Sequence, residues 1–213
     1  MAAATPLHPV AGPERHPTFG DGGGGPRAAQ PRSRVDPTLG VLIFIASEVM
    51  LFAGLISAFL VAHASAPFWP PPDQPRLPIA ATGFNTGILI LSGLTMHEVV
   101  RSLRRGDRRR ATLWMSVTAL LGTVFLAIQG GEWTRLIRFG LTMTSSLYGG
   151  MFYLIVGAHA LHLVVALIVL SFVTARLWRG RYDGDFRGVV ACSAYWSFVV
   201  ILWPVIYALV YLS

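Results

Sequence analysis

The chain has 213 residues, of which 54% are hydrophobic and only 13% are charged. Soluble domains carry about 25% charged residues, and a single small globule has too little interior to bury this much apolar surface. The composition therefore excludes an ordinary soluble domain and predicts a protein whose apolar surface is solvated by lipid.

The formal net charge is +7, and all 17 basic residues are arginines. These arginines lie between long apolar segments, so the charge indicates a membrane surface and argues against a nucleic-acid partner. The single cysteine, Cys192, excludes an intrachain disulfide and a metal site built from cysteines. Its place early in an apolar segment is typical of a small buried hydrophobic side chain.

Residues 1–35 are rich in Pro, Gly and Ala and include four consecutive glycines, Gly22–Gly25. A segment of this kind cannot bury enough surface to offset its ordering entropy, so we predict a disordered cytoplasmic tail. It contains no apolar stretch typical of a signal peptide. The remaining residues, 36–213, are predicted to form one transmembrane domain.

Five apolar segments follow the tail, and a helix of about 20 residues crosses a ~30 Å hydrocarbon core. The segments run from Thr38 to Ala62, Ile79 to Val100, Ala111 to Ile128, Leu147 to Trp178 and Val189 to Leu212. The third is the shortest, and the fourth is long enough to tilt or to extend past the bilayer. We therefore predict an all-α fold, a bundle of five transmembrane helices.

The distribution of arginines assigns the sides of the membrane. With the N-terminus in the cytoplasm, the inner segments carry fourteen of the 17 arginines, including six between Arg101 and Arg110. The outer segments carry only Arg76, Arg135 and Arg138. Because cytoplasmic loops are enriched in basic residues, we predict a cytoplasmic N-terminus and a C-terminus outside.

Three ionisable residues lie at the middle of predicted spans. Glu48 is about ten residues into the first span, and His159 and His162 are at a similar depth on one face of the fourth. An ionisable group at this depth is costly unless it is paired or solvated. We predict a buried polar network in which Glu48 hydrogen-bonds a histidine, with a structural role first and a lipid- or proton-related role second.

A metal or haem at these residues would need further ligands at the same depth. A haem requires axial histidines on facing helices, whereas His63 and His97 lie near helix ends. A di-metal carboxylate site requires further glutamates, whereas Glu98 and Glu132 lie near opposite membrane faces. We therefore predict no catalytic residue, no metal and no cofactor in this chain, and a metal-bearing enzyme is the less favoured alternative.

Four residues form a predicted outer-face group of polar and aromatic side chains. Trp69 precedes three consecutive prolines in the first outer loop, and Gln129, Glu132 and Trp133 lie at the outer end of the third helix. Amphipathic rings settle at the level of lipid headgroups, so the two tryptophans and Tyr148 are expected to be interfacial anchors. Gln129 and Glu132 are expected to form the polar end of the third helix.

The residues that carry a resemblance to a known family are, in chain order, Phe44-Ile45-Ala46-Ser47-Glu48, Trp69-Pro70-Pro71, Asn85-Thr86 with Leu89, Ser92 and Gly93, Gln129 with Glu132-Trp133, Tyr148-Gly149 with Phe152, Gly157 with His159 and His162, and Tyr195-Trp196 with Trp203. Their order and spacing resemble subunit III of the haem–copper oxidases in its five-helix form. The resemblance covers about residues 39–212.

This resemblance implies a subunit without a redox cofactor, because haem and copper belong to subunits I and II of such oxidases. Family members are held to stabilise subunit I, support proton uptake and bind phospholipid in a cleft between helices. Glu48 corresponds to the carbodiimide-reactive carboxyl of the family. The implied setting is a proton-pumping cytochrome c oxidase of aerobic respiration in a bacterial plasma membrane, with a respiratory supercomplex as a further candidate partner.

The fifth span departs from the family pattern. The pattern has a His directly after Tyr195-Trp196 and an Asp four residues after the Trp, whereas this chain has Ser197 and Val200. An accessory subunit of a quinol oxidase or a nitric oxide reductase therefore stays an alternative. A small proton-relay transporter is a further one, although the sequence shows neither inverted repeats nor paired broken helices.

Overall fold

The computed structural model describes residues 37–69, 71, 77–180 and 186–212. All regular structure in these residues is helical, which confirms the all-α prediction. The helices are α1 (Pro37–Ser65), α2 (Ile79–Arg104), α3 (Arg108–Arg138), α4 (Leu147–Trp178) and α5 (Arg187–Ile206), and a π-helical turn, Tyr207–Tyr211, continues α5. The predicted tail, residues 1–35, lies outside the described residues.

Each of the five helices is long and apolar enough to cross a membrane. This confirms the predicted number of spans, while the cytoplasmic side of the N-terminus stays a prediction. Helices α2, α3, α4 and α5 form a ring in which each packs against the next and α5 closes against α2. Helix α1 packs on the outside of this ring against α5 and α4.

One face of α1 makes its contact with the ring. The residues of this face recur alternately at three and four positions, the spacing of a coiled-coil seam. They are Val41, Ile45, Glu48, Phe52, Leu55 and Phe59. Glu48 is the one ionisable residue of the seam, so the packing of α1 places a carboxyl group between apolar side chains.

The turn between α2 and α3 is shorter than the stretch from Arg101 to Arg110 that separates the second and third apolar segments of the sequence. Helix α2 runs to Arg104, and Gly106 takes a left-handed conformation with φ of 76°. The side chain of Asp107 then caps α3 by accepting a hydrogen bond from the backbone N–H of Arg110 at 3.0 Å. The turn therefore contains only three residues, and five of the six arginines from Arg101 to Arg110 lie within α2 or α3.

Helix α3 continues to Arg138, ten residues beyond the end of the apolar segment near Ile128. Hydropathy falls after Ile128, but Gln129, Glu132 and Leu136 follow at helical spacing and are buried. Polar residues facing the bundle ended the apolar segment without ending the helix. Gln129, which was expected at the outer end of the third helix, therefore lies well inside α3.

Candidate functional site

Glu48 and His162 meet where α1 packs on α4. The carboxyl Oε2 of Glu48 lies 2.6 Å from the Nε2 of His162, and the two side chains are 12% and 14% exposed. Both residues are far from helix ends, since Glu48 is about 17 Å along α1 from Pro37 and His162 about 24 Å along α4 from Trp178. The structure thus brings together two of the three predicted mid-depth residues.

The partner of the other ring nitrogen indicates the tautomer of His162. Its Nδ1 lies 2.6 Å from the backbone oxygen of Ala158. A carbonyl oxygen only accepts, so Nδ1 carries a hydrogen and donates it. Nε2 is therefore the nitrogen that faces Glu48.

The Glu48–His162 contact places a carboxyl and an imidazole side by side between apolar side chains. Removing either group would leave the other polar group without its neighbour in a low-dielectric environment. Oε2 lies at ion-pair distance without the angle of a hydrogen bond and has no other partner within the described part of the chain.

Aromatic side chains surround the pair. The ring of Phe52 meets the imidazole of His162 edge-on, with centroids 5.3 Å apart. One turn towards the start of α1, Phe44 packs on Tyr195 of α5 at 5.7 Å. These contacts enclose the pair largely in aromatic side chains.

His159 does not join this pair. It faces the interior of the ring, is 1% exposed and packs on Trp203 with ring centroids 4.9 Å apart. Neither ring nitrogen has a hydrogen-bond partner among the residues described. The predicted network of one carboxyl and two imidazoles is therefore divided between the α1–α4 seam and the interior of the ring.

Polar residues of α2 that the sequence analysis did not assign to a site also face the ring interior. Asn85 donates from Nδ2 to the carbonyl of Phe125 at 3.1 Å, and the hydroxyls of Thr95 and Thr118 lie 2.8 Å apart. Their signal was available in the sequence, because small polar residues recur at helical spacing along α2 and mark the face turned away from lipid.

The predicted outer-face residues lie mainly against other protein groups. Gln129 is 2% exposed and donates from Nε2 to the hydroxyl of Tyr211 at 3.1 Å. Trp69 packs edge-on against the buried Tyr148, with centroids 5.0 Å apart. Trp133 packs against Tyr153 at 5.9 Å. The Trp69 contact joins the loop after α1 to α4, and the Trp133 contact joins α3 to α4, in addition to any contact with lipid headgroups.

Glu132 forms a weak ion pair with Arg135 at 3.5 Å, one turn along α3. The arginine side chain is 72% exposed, so the pair contributes little to stability. In the described ranges no three His, Cys, Asp or Glu side chains come together in a group suited to a metal ion. The absence of haem and metal from this chain stays a prediction.

Residues 33–213, which include all five helices and the Glu48–His162 pair, match the family described as Cytochrome c oxidase subunit III. The chain belongs to this family. The resemblance drawn from the sequence is thereby confirmed. As a cytochrome c oxidase subunit III, the chain is a multi-pass membrane protein and one subunit of a larger oxidoreductase complex.

Relatives from distant organisms agree with this assignment. The cytochrome c oxidase subunit 3 of Synechocystis sp. is 35% identical over 178 residues, covering 81% of this chain and 74% of the relative. The probable cytochrome c oxidase subunit 3 of Nocardia farcinica is 34% identical over 177 residues, covering 82% and 86%. The subunit 3 of Lumbricus terrestris is 32% identical over 179 residues, covering 81% and 68%.

Proposed function

We propose that this chain is the cofactor-free subunit III of a proton-pumping cytochrome c oxidase in a bacterial plasma membrane. In this role it stabilises subunit I, supports proton uptake and binds phospholipid, and its partners are subunits I and II. The observation that carries the proposal is the Glu48–His162 pair, a carboxyl and an imidazole 2.6 Å apart at mid-depth.

The chemistry of the pair supports a role in proton supply. A carboxyl and an imidazole both bind and release protons, and ionisable groups inside membrane-spanning helices mark proton paths. This chemistry suits support of proton uptake better than catalysis, because it neither binds a substrate nor stabilises a reaction intermediate.

The exposure of α1 supports a role in stabilising a neighbouring subunit. Only the seam face of α1 is buried, while large apolar side chains cover the rest of the helix. The exposed ones include Leu39, Leu42, Ile43, Val49, Met50, Leu51, Leu60 and Val61. In the membrane this apolar surface of α1 is covered either by lipid or by a partner helix. It is therefore available for contact with subunit I.

Two measurements test the proposal. The chain extracted in mild detergent should co-purify with a haem-containing partner, while the isolated chain should show no redox spectrum. In the assembled oxidase, Glu48→Ala should leave most of the initial turnover intact, because Glu48 takes no part in the chemistry. The control is Glu98→Ala, which removes an exposed carboxyl paired with Arg101. A stoichiometric haem spectrum in the chain alone, or abolished turnover in Glu48→Ala, would contradict the proposal.

The second candidate is an accessory subunit of a quinol oxidase or nitric oxide reductase. It is favoured by Ser197 and Val200, which replace the His and Asp of the family pattern. The electron donor used by the co-purified complex separates it from the first candidate. A small transporter would instead produce proton flux in liposomes that contain this chain alone.

A further inference from the structure

Two adjoining cavities follow the groove between α2 and α5. The first has a volume of about 440 Å³ and lies at the arginine-rich end of both helices. It is lined by His97, Val100, Arg101, Arg104, Val190, Ser193 and Ala194. The second has a volume of about 370 Å³ and continues towards the middle of the bundle. It is lined by Ile90, Gly93, Leu94, Ser197, Val200, Ile201 and Pro204.

The first cavity is basic. His97, Arg101 and Arg104 follow at intervals of four and three residues, so they share one face of α2. Arg101 also pairs with Glu98 at 3.3 Å, but both side chains are substantially exposed, so the pair neutralises the cluster only in part. The end of the groove therefore favours an anion at the level of the lipid headgroups.

The second cavity is apolar. Gly93 has no side chain to fill the groove, and a Cβ placed there would lie 3.0 Å from Cγ1 of Val200. The small hydroxyl of Ser197 and the side chain of Val200 stand where the family pattern led us to expect a His and an Asp. These two differences remove charge and bulk from the floor of the groove.

The length of the groove fits one lipid leaflet. From Val190 to Pro204 it follows α5 for about 21 Å, at 1.5 Å per residue. One leaflet, including its headgroup region, is about 20–22 Å deep, half of a bilayer of about 40–45 Å. A molecule with an anionic head in the first cavity and an extended acyl chain in the second therefore matches both the polarity and the dimensions of the groove.

We propose that the α2–α5 groove binds an anionic phospholipid of the arginine-rich leaflet. Its phosphate lies among His97, Arg101 and Arg104, and one acyl chain runs past Gly93 and Ser197. The inference rests on the proposed function for its membrane setting, and it gives the lipid-binding part of that function a particular site.

The test compares charge reversals at neighbouring arginines in the assembled oxidase. Arg104 lines the groove and Arg105, the next residue, does not, although both are exposed at the same end of the bundle. Phosphatidylglycerol is titrated onto the delipidated complex in detergent, and lipid retained per complex is measured by native mass spectrometry. Arg104→Glu should weaken retention roughly tenfold or more, while Arg105→Glu should stay near wild type.

A second variant tests the apolar part of the groove. Ser197→Phe would fill the second cavity without changing charge, and it should also lower retention of phosphatidylglycerol. Equal retention in Arg104→Glu and Arg105→Glu, or unchanged retention in Ser197→Phe, would overturn the inference. A cross-link from Ser197→Cys to another oxidase subunit would overturn it too, because a protein would then occupy the groove.

The same samples keep this inference separate from the proposed function. Co-purification of the variants with a haem-containing partner reports on the subunit role, whereas lipid retention reports on the groove. If the complex contains haem but Arg104→Glu does not change its lipid retention, only the inference about the groove is refuted. A wild-type chain that never co-purifies with a haem protein refutes the proposed function.

Discussion

Trp203 packs its indole ring on the imidazole of His159, with centroids 4.9 Å apart, and donates its N–H to the hydroxyl of Thr86 at 2.9 Å. Phe125 meets the same indole edge-on at 5.1 Å. These contacts come from α4, α2 and α3, and Trp203 itself belongs to α5. One fully buried side chain therefore joins all four helices of the ring.

Replacing Trp203 should destabilise the bundle in two steps. Trp203→Phe keeps most of the packing but loses the hydrogen bond to Thr86, so we expect a loss of about 1 kcal/mol. Trp203→Ala also opens a cavity, and the expected loss is about 3–5 kcal/mol. Thermal unfolding of the purified protein in one detergent would measure both, and an unchanged stability of Trp203→Phe would contradict the assigned hydrogen bond.

His159 should be replaceable by an apolar ring. Its two nitrogens are buried and have no hydrogen-bond partner among the described residues, which is unfavourable for a polar group. His159→Phe keeps the packing against Trp203 and removes both nitrogens, so its thermal stability should equal or exceed that of the wild type. A loss comparable to that of Trp203→Ala would show that the imidazole is satisfied by a partner of its own.

Glu48 and His162 should behave as a coupled pair. Removing one partner leaves a buried ionisable group alone, which costs about 3–5 kcal/mol, whereas an apolar replacement of both is close to neutral. Glu48→Leu and His162→Leu should therefore each destabilise the protein more than the double variant does. Thermal unfolding of the four proteins gives the coupling energy.

The exposed pair of Glu98 and Arg101 is the control for this cycle. Its distance of 3.3 Å is also within ion-pair range, but its side chains are 38% and 55% exposed. Substitutions in it should change stability by no more than about 1 kcal/mol. Additive losses in the Glu48–His162 cycle would contradict the coupling of the two side chains.

Gly122 should be intolerant of a side chain. A Cβ at this position would lie 2.5 Å from Cη2 of Trp196 and 3.0 Å from Cδ2 of Leu167. Gly122→Ala should therefore destabilise the bundle by about 1–3 kcal/mol.

Gly130, two turns along the same helix, is the matched control because nothing in the described structure lies within 4 Å of such a Cβ. Gly130→Ala should be neutral or stabilise α3 by up to about 1 kcal/mol. The two variants can be compared by their unfolding midpoints in the same detergent. Similar midpoints would contradict the close contact between Gly122 of α3 and Trp196 of α5.

The termini should face opposite compartments. Reporter tags before Met1 and after Ser213 would be tested for protease accessibility in sealed spheroplasts. Five spans and the concentration of arginines at one end predict a protected N-terminal tag and an accessible C-terminal tag. Tags exposed on the same side would contradict the number of membrane crossings.

The span count was predictable, but the end of α3 was not. An apolar segment reports contact with lipid, and every lipid-crossing helix has one. The last turns of α3 face the bundle with Gln129 and Glu132, so hydropathy fell where the helix continued. The helical spacing of the buried positions indicates where this helix ends, whereas the mean hydropathy does not.

The sequence by itself determined the helical class, the five apolar spans, the family and the position of Glu48 and the two histidines in the middle of their helices. These follow from composition and order along the chain, because lipid requires long apolar helices with satisfied backbones. Tertiary structure decided which histidine meets Glu48. His159 and His162 are separated by one helical turn, and the rotation of α4 against its neighbours directs one to the α1 seam and the other to Trp203.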